Sequence, residues 1–220
     1  MILKAPLIFV YITVIIILSD VLYAEEKEII KLPDVKFDSK ISLEEAIRSR
    51  RSIRNFEERE LSLEQIGKLL WAASGITDNS LKLRSAPSAG ALYPLEIYIV
   101  KKDGLFHYEP YIHSLRLIRE GDLRRKLCES ALNQTSIEKA PLSIIILCDY
   151  KRTTIRYGNR GIQYVHIEAG HVAQNIHLEA VSLGLGSVPI GAFQDDRVKE
   201  ILGLQKFEVL YIIPVGYPES

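Results

Sequence analysis

Residues 161–183 read GIQYVHIEAGHVAQNIHLEAVSL, a stretch without proline that decides the fold. Gly184 follows it directly and predicts the end of a long helix. The apolar and small residues of this helix occupy more than one of its faces: Val165, Ala169, Val172, Ala173, Ile176, Ala180 and Val181. A helix with so wide an apolar surface is buried on several sides, either in the core or against another subunit.

Helices and strands mix on both sides of this long helix. Ser42 and Ser62 each begin a capping-box pattern, which predicts helices over 43–49 and 63–74. Further helices are predicted over 122–132 and 195–202, and strands over 95–101, 105–108, 142–148 and 209–215. Residues 76–84, 150–160 and 186–191 are interpreted as loops. Helices outnumber strands in this interpretation, and the predicted fold class is α+β.

The composition predicts one globular domain. The chain has 220 residues, of which 47% are hydrophobic, so it can bury a full core. Its 28 basic and 28 acidic residues balance, which does not indicate a nucleic-acid partner. We expect residues 41–220 to form this domain and residues 25–40 to be an extended lead-in, because Pro33 disfavours a helix there.

The first 24 residues have the layout of a secretory signal. Lys4 precedes a predominantly apolar stretch over 5–18, and Ala24 is a small residue at the predicted cleavage point. The apolar stretch is shorter than the roughly 20 residues of a membrane-spanning helix. An uncleaved N-terminal anchor is the alternative, so the protein is predicted to be exported, periplasmic or extracellular, or to be attached to a membrane.

The cysteines and histidines do not predict a metal centre. Cys128 and Cys148 could pair in an oxidising compartment, or serve as small core residues, one on a helix and one on a strand. Glu168 and His171 have the E-x-x-H spacing of di-iron sites, but such a site needs a second E-x-x-H copy and further carboxylates on neighbouring helices, and the sequence offers no such set. His166 and His177 are interpreted as polar residues with hydrogen-bond partners on the long helix.

A cluster of positive charge follows the first predicted helix, in the segment RRSIRN over residues 50–55. Arg50 and Arg54 lie where this helix ends or bends, and Ser52 adds a hydroxyl between them. Arginine is the preferred bidentate partner of phosphate, so the cluster indicates an anion site. The alternative is a solvated basic surface neutralised by the acidic residues that follow, Glu57, Glu58 and Glu60.

A second unusual segment, PSAGALYP over residues 87–94, sets small side chains between two prolines. Such a segment forms a stiff loop whose backbone can closely approach a flat ligand. A tight packing corner is the alternative interpretation.

Six segments together resemble the nitroreductase superfamily of flavoproteins and, within it, the SagB-type dehydrogenase branch. They are RRSIR over 50–54, APSAGALYPLE over 86–96, YGNRG over 157–161, HIEAGHVAQN over 166–175, LGLG over 183–186 and PIGAF over 189–193. The resemblance extends from about Ile41 to Pro218. It implies a mixed sheet flanked by helices, and a homodimer that holds FMN at its interface beside the long helix.

The resemblance also assigns the flavin contacts. It places Arg50 and Ser52 at the phosphate and Arg54 at the ribityl chain and the pyrimidine edge. Pro87, Ser88 and Ala89 of the partner subunit would line the isoalloxazine. The loop of Pro189, Ile190 and Gly191 would present a backbone N–H near N5, and Gln134 would make a further polar contact. Ping-pong turnover between a small-molecule donor and acceptor is implied, with the chemistry supplied by the flavin rather than by a catalytic side chain.

Two other functions are compatible with these residues. One is a flavin-binding or interaction protein without turnover, since nicotinamide donors are scarce outside the cytoplasm. The other is a peptide azoline oxidase. Members with that activity carry a Lys-Tyr pair where this chain has Arg156 and Tyr157, and arginine cannot accept a proton near neutral pH. Azoline oxidation is therefore not expected.

Overall fold

The computed structural model describes residues 28–219. The predicted signal or anchor over 1–24 lies outside these residues. Among the helices found between residues 28 and 219, none combines the length and the apolar character that spanning a membrane requires.

The centre of the fold is a seven-stranded sheet with the strand order β1-β6-β5-β4-β7-β9-β8. The strands are β1 (Ile29–Lys31), β4 (Leu95–Lys101), β5 (Gly104–Glu109), β6 (Ser114–Glu120), β7 (Leu142–Cys148), β8 (Gly186–Ser187) and β9 (Glu208–Gly216), and a separate ribbon pairs β2 (Ile76–Asp78) with β3 (Leu83–Arg84). Neighbouring strands of the large sheet pair antiparallel.

Seven α-helices surround the sheet: α1 (Leu43–Ser49), α2 (Leu63–Ser74), α3 (Arg124–Ser130), α4 (Ser136–Lys139), α5 (Tyr150–Tyr157), α6 (Arg160–Ser182) and α7 (Asp195–Leu202). A short 3₁₀ helix covers Ala89–Ala91. The predicted α+β class, with helices flanking a sheet and one long helix, is confirmed.

Strand β7 explains why there are two layers of helices. All seven of its residues are buried, and successive side chains point to opposite faces. Ile144 and Ile146 enter a core that α2 and α6 cover, whereas Ile145 and Leu147 enter a second core covered by α3, α4 and α7. The sheet therefore lies between two hydrophobic cores, and α6 packs on one of them.

The structure corrects four parts of the sequence interpretation. The stretches 76–84 and 186–191, interpreted as loops, contain the short strands β2, β3 and β8, which are too short to show a strand periodicity. The described residues contain nine strands and seven α-helices, so helices do not outnumber strands. Residues 150–157 form a helix rather than a loop. This helix is mostly polar and its Ile155 is 86% exposed, so it lacks the apolar periodicity that identifies a helix. Strand β6 was also missed, although Leu115 and Leu117 alternate with arginines in its sequence.

Both cysteines are buried and unpaired, which confirms the interpretation as core residues. Cys128 lies in α3 and Cys148 in β7, and the two belong to cores on opposite sides of the sheet.

Candidate functional site

The arginine cluster is fixed by secondary structure on both sides. The Ser42 hydroxyl caps α1 by accepting from the Glu45 N–H at 3.1 Å, and α1 ends at Ser49. The chain then pairs with β8, where the Ile53 N–H donates to the Ser187 carbonyl at 3.0 Å. Ser52 forms a parallel bridge with Ser187. The backbone of the cluster is thus an extra partner of the sheet edge rather than a free loop.

Gly186 allows this close approach. A Cβ at Gly186 would lie 2.6 Å from the Ile53 Cβ, so any larger residue would push the cluster away from β8.

The guanidinium groups of the cluster carry unpaired positive charge. Between residues 28 and 219, no carboxylate forms a salt bridge with Arg50, Arg51 or Arg54. The predicted alternative of neutralisation by the following glutamates is therefore not observed. Arg51 donates to the carbonyls of Arg48 and Arg50, while Arg50 and Arg54 keep their charged donors available for an anion.

His177 supports the sheet edge beneath the cluster. Its Nδ1 lies 2.7 Å from the Ser187 hydroxyl, and both residues are buried. Burial, assisted by the charge of Arg50, lowers the pKa of His177 to about 4, so this imidazole is neutral at physiological pH. The predicted roles of His177 and His166 as hydrogen-bonded polar residues are confirmed, since His166 Nε2 lies 2.9 Å from the Tyr150 hydroxyl.

The loop with Pro189, Ile190 and Gly191 follows β8 and so lies at the same sheet edge. Ile190 exchanges backbone hydrogen bonds with Ile212 at 2.9 and 3.0 Å, which fixes the loop on β9. Gly191 is exposed, and its N–H donates to no acceptor among residues 28–219. A backbone donor on a rigid loop is therefore available to a ligand.

Gln134 braces this loop. Its amide nitrogen donates to the Ala131 carbonyl at 3.0 Å and to the Ala192 carbonyl at 2.9 Å. The side chain that the sequence predicts as a ligand contact thus holds the loop in place, with its carbonyl oxygen as the remaining polar group.

The loop that contains Pro87, Ser88 and Ala89 lies elsewhere on the molecule. The Ser88 hydroxyl accepts from the Tyr93 N–H at 2.9 Å and closes the loop. Gly90 has a φ of 63°, and a Cβ there would lie 2.7 Å from the Tyr157 hydroxyl. A larger residue at Gly90 would be strained and would displace the ends of the Tyr157 and Arg156 side chains, so this loop packs directly against the end of α5.

The two sets of predicted site residues lie beside different parts of α6. Ser88 interacts with Glu168, and Arg50 acts on His177, which is nine residues further along α6. Nine helical residues span roughly 14 Å.

Glu168 is a buried carboxyl beneath the small-residue loop. It is 5% exposed, and burial raises its pKa to about 7, against the opposing effects of the Ser88 hydroxyl and the Arg84 charge. His171, its E-x-x-H partner, is exposed. The burial of Glu168 was not predicted from the sequence, because polar and apolar residues both flank it in α6 and no local pattern marks its side chain as buried.

Replacing Glu168 with glutamine is expected to stabilise the protein increasingly as the pH rises from 4.5 to 7. In this pH range the Glu168 carboxyl stays protonated in the folded protein but ionises in the unfolded chain. The wild-type protein therefore loses, as the pH approaches 7, stability that it has below pH 4.5, and the glutamine variant does not. The full change in the unfolding free energy of the variant relative to wild type corresponds to roughly 3 kcal/mol.

The measurement is the urea unfolding free energy of both proteins across this pH range. His177 acts in the opposite direction, so the difference between variant and wild type is the informative quantity. In contrast, the difference between Glu44→Gln and wild type should stay nearly constant over this range, because its own backbone N–H and the Ser42 hydroxyl lower the pKa of Glu44, and the stability that the ionised Glu44 contributes is lost only as the pH falls below about 4.5. A pH-independent difference for Glu168→Gln would contradict the prediction.

Comparison with known proteins gives a consistent result. The model of the Nitroreductase family matches residues 47–217. A Methanocaldococcus jannaschii protein whose name assigns it to the nitroreductases is 43% identical over 193 residues, covering 85% of this chain and 95% of that protein. The trifolitoxin-processing protein TfxB of Rhizobium leguminosarum is 30% identical over 166 residues, covering 67% of this chain and 44% of that protein.

Solved structures agree with these relatives. A crystal structure from Ralstonia eutropha, of a protein assigned to the nitroreductases, has a TM-score of 0.81 and 28% identity over 90% of this chain and 92% of that one. The NADPH:FMN oxidoreductase of Vibrio harveyi, solved with NAD+, has a TM-score of 0.61 and 27% identity over 81% of this chain and 69% of that one.

Proposed function

The chain belongs to the nitroreductase family of oxidoreductases, and on this premise we propose that it is an FMN-dependent enzyme of the SagB-type dehydrogenase branch. The observation that carries the proposal is the cluster of Arg50, Ser52 and Arg54 fixed on β8, beside the loop that contains Gly191. Within residues 28–219 the two arginines form no salt bridge and the Gly191 N–H has no acceptor. The enzyme would act between a small-molecule electron donor and an acceptor.

The residues present fit FMN. A phosphate monoester carries up to two negative charges, and Arg50 with the Ser52 hydroxyl offers charged and neutral donors to it. Arg54 would reach the ribityl chain and the pyrimidine edge, where a guanidinium favours negative charge. Gly191 would direct its N–H towards N5. When bound, FMN would supply hydride exchange at N5 in a ping-pong reaction.

A homodimer is part of this proposal. The flavin needs a second wall, and Pro87, Ser88 and Ala89 of the partner subunit would provide it. Exposed apolar side chains on α6 and the adjacent α1 support such an interface: Leu43, Ile47, Ile162 and Ile167 are 62, 54, 40 and 53% exposed. The predicted segment over 1–24 would place the enzyme outside the cytoplasm or attach it to a membrane.

Purified residues 25–220 are expected to be yellow and to contain about one FMN per subunit, because each subunit contributes one phosphate cluster. Absorption spectra with protein quantification test this, and light scattering tests for the dimer. A folded protein that is colourless and does not take up added FMN would contradict the proposal.

A second candidate is an oxidase of peptide azolines, and the similarity to TfxB, whose name describes it as a trifolitoxin-processing protein, is the observation that favours it. Arg156 stands against this function because it cannot accept a proton, as argued above. Oxidation of a thiazoline peptide by the flavin-loaded protein would favour this candidate. Bound flavin that NADH, NADPH and quinols all fail to bleach in stopped-flow mixing would instead favour binding without turnover.

A further inference from the structure

A cleft lies between the small-residue loop over 87–94 and the turn that joins β5 to β6. The residues of the arginine cluster do not line it. Its volume is about 600 Å³, within the usual range for small-molecule sites. Six of its eleven lining residues are apolar or aromatic: Ala91, Leu92, Tyr93, Pro110, Tyr111 and Ile112. The other five are Arg84, Glu96, His107, Glu109 and Arg152. None of these residues belongs to the predicted flavin contacts. Tyr111 and Ile112 are 62 and 53% exposed, so the cleft opens to solvent.

Arg84 is the distinctive polar group of this cleft. Its Cζ lies 4.6 Å from the centre of the Tyr93 ring and 5.7 Å from that of Tyr111, so the two rings hold the guanidinium in place. Nη1 donates to the Ser74 hydroxyl at 3.0 Å. Nε is buried without a hydrogen-bond acceptor, and no carboxylate between residues 28 and 219 forms a salt bridge with this guanidinium.

The other charges around the cleft are already compensated. Glu96 bonds to Arg152 and to His107, which accounts for its negative charge. Glu109 forms a bidentate pair with Arg116 at 2.6 and 3.2 Å. Glu168 interacts with the charge of Arg84 through space, without a direct bond. Burial raises the pKa of Glu168 to about 7, so near neutral pH this carboxyl is only partly ionised and offsets the Arg84 charge only in part. One cation is therefore left without a counter-charge in a partly apolar cleft, where leaving it unpaired is unfavourable.

We infer that this cleft is a binding site for a small organic monoanion, a carboxylate attached to an aromatic or apolar body, with the carboxylate on Arg84. Arginine forms charged hydrogen bonds with carboxylates, and the two rings hold this guanidinium in place with its Nη2 making no hydrogen bond to residues 28–219. The apolar body would lie along Leu92, Tyr111 and Ile112. The inference does not depend on flavin binding.

The test compares 3-phenylpropionate with its neutral isostere 3-phenylpropanamide by isothermal titration calorimetry. The wild-type protein should bind the acid about 10-fold or more tightly than the amide, the size expected of charged hydrogen bonds. Arg84→Gln should reduce this preference to within about threefold. Arg119→Gln is the matched control, because Arg119 bonds to the Ile201 carbonyl outside the cleft. It should keep the full preference.

A second variant keeps the test valid should Arg84→Gln disturb folding. Tyr111 is exposed, so Tyr111→Glu should fold, and its carboxylate would occupy the counter-charge position and abolish the preference for the acid. Equal affinities for acid and amide in the wild type would overturn the inference. A preference that persists in both variants would overturn it as well.

Discussion

Arg50→Gln is expected to weaken FMN binding about 100-fold, whereas Arg51→Gln should change it by less than about threefold. A guanidinium bound to a phosphate makes charged hydrogen bonds worth roughly 1.5–3 kcal/mol, and each 1.4 kcal/mol is a factor of ten. Arg50 makes no ion pair among the described residues. Arg51, by contrast, donates to the carbonyls of Arg48 and Arg50. The two variants therefore remove the same charge from neighbouring positions with different surroundings.

Quenching of FMN fluorescence during titration of the apoprotein measures the two dissociation constants. Arg50→Lys should give an intermediate value, because lysine keeps the charge but loses the fork geometry. Equal losses in the two glutamine variants would indicate a general field effect and contradict a specific phosphate contact. Unchanged affinity for Arg50→Gln would remove Arg50 from the site.

The elements that could be predicted are those with strong local signals. The two capping boxes located α1 and α2, because Ser42 and Ser62 mark the helix starts directly. The continuous apolar run of β7 was found at its observed bounds. In contrast, α5 has a polar sequence, and its start depends on the Asp149 side chain accepting from the Lys151 N–H. A cap without apolar periodicity is a weak signal.

The candidate site was only partly predictable because its geometry depends on long-range pairing. The pattern of residues 50–55 indicated an anion site, but the bridge from Ser52 to Ser187 joins segments 135 positions apart. Nothing local in the sequence predicts that bridge. Gln134 and Arg84 have the same limitation, since their roles come from Ala192 and from Tyr111, both distant along the chain.

The long helix shows why one pattern allowed two interpretations. Val165, Val172 and Ile176 are buried in the core, while Ile162 and Ile167 of the same helix remain exposed. An apolar residue gives the same signal in sequence whether it faces its own core or a partner. The wide apolar surface of α6 therefore combines a core face with a second face, and the proposed dimer would cover the latter.

Ile146→Ala should lower the unfolding free energy by about 3 kcal/mol, the usual cost of deleting a large side chain from a packed core. Ile146 is fully buried at the centre of β7, where Ile97 and Tyr211 are its neighbours on the adjoining strands. For a chain of this size such a loss lowers Tm by roughly 6–12 °C. Ile155→Ala is the matched control, because Ile155 on α5 is 86% exposed and its truncation should cost about 0.5 kcal/mol or less.

Thermal and urea unfolding of both variants, at one protein concentration and one flavin content, provide the measurement, because dimerisation and ligand binding each shift apparent stability. A loss for Ile155→Ala as large as that for Ile146→Ala would mean that a partner surface covers Ile155 in the assembled protein. A loss below about 1 kcal/mol for Ile146→Ala would contradict the central position of β7, because a cavity at that position cannot close without moving the strands on both sides.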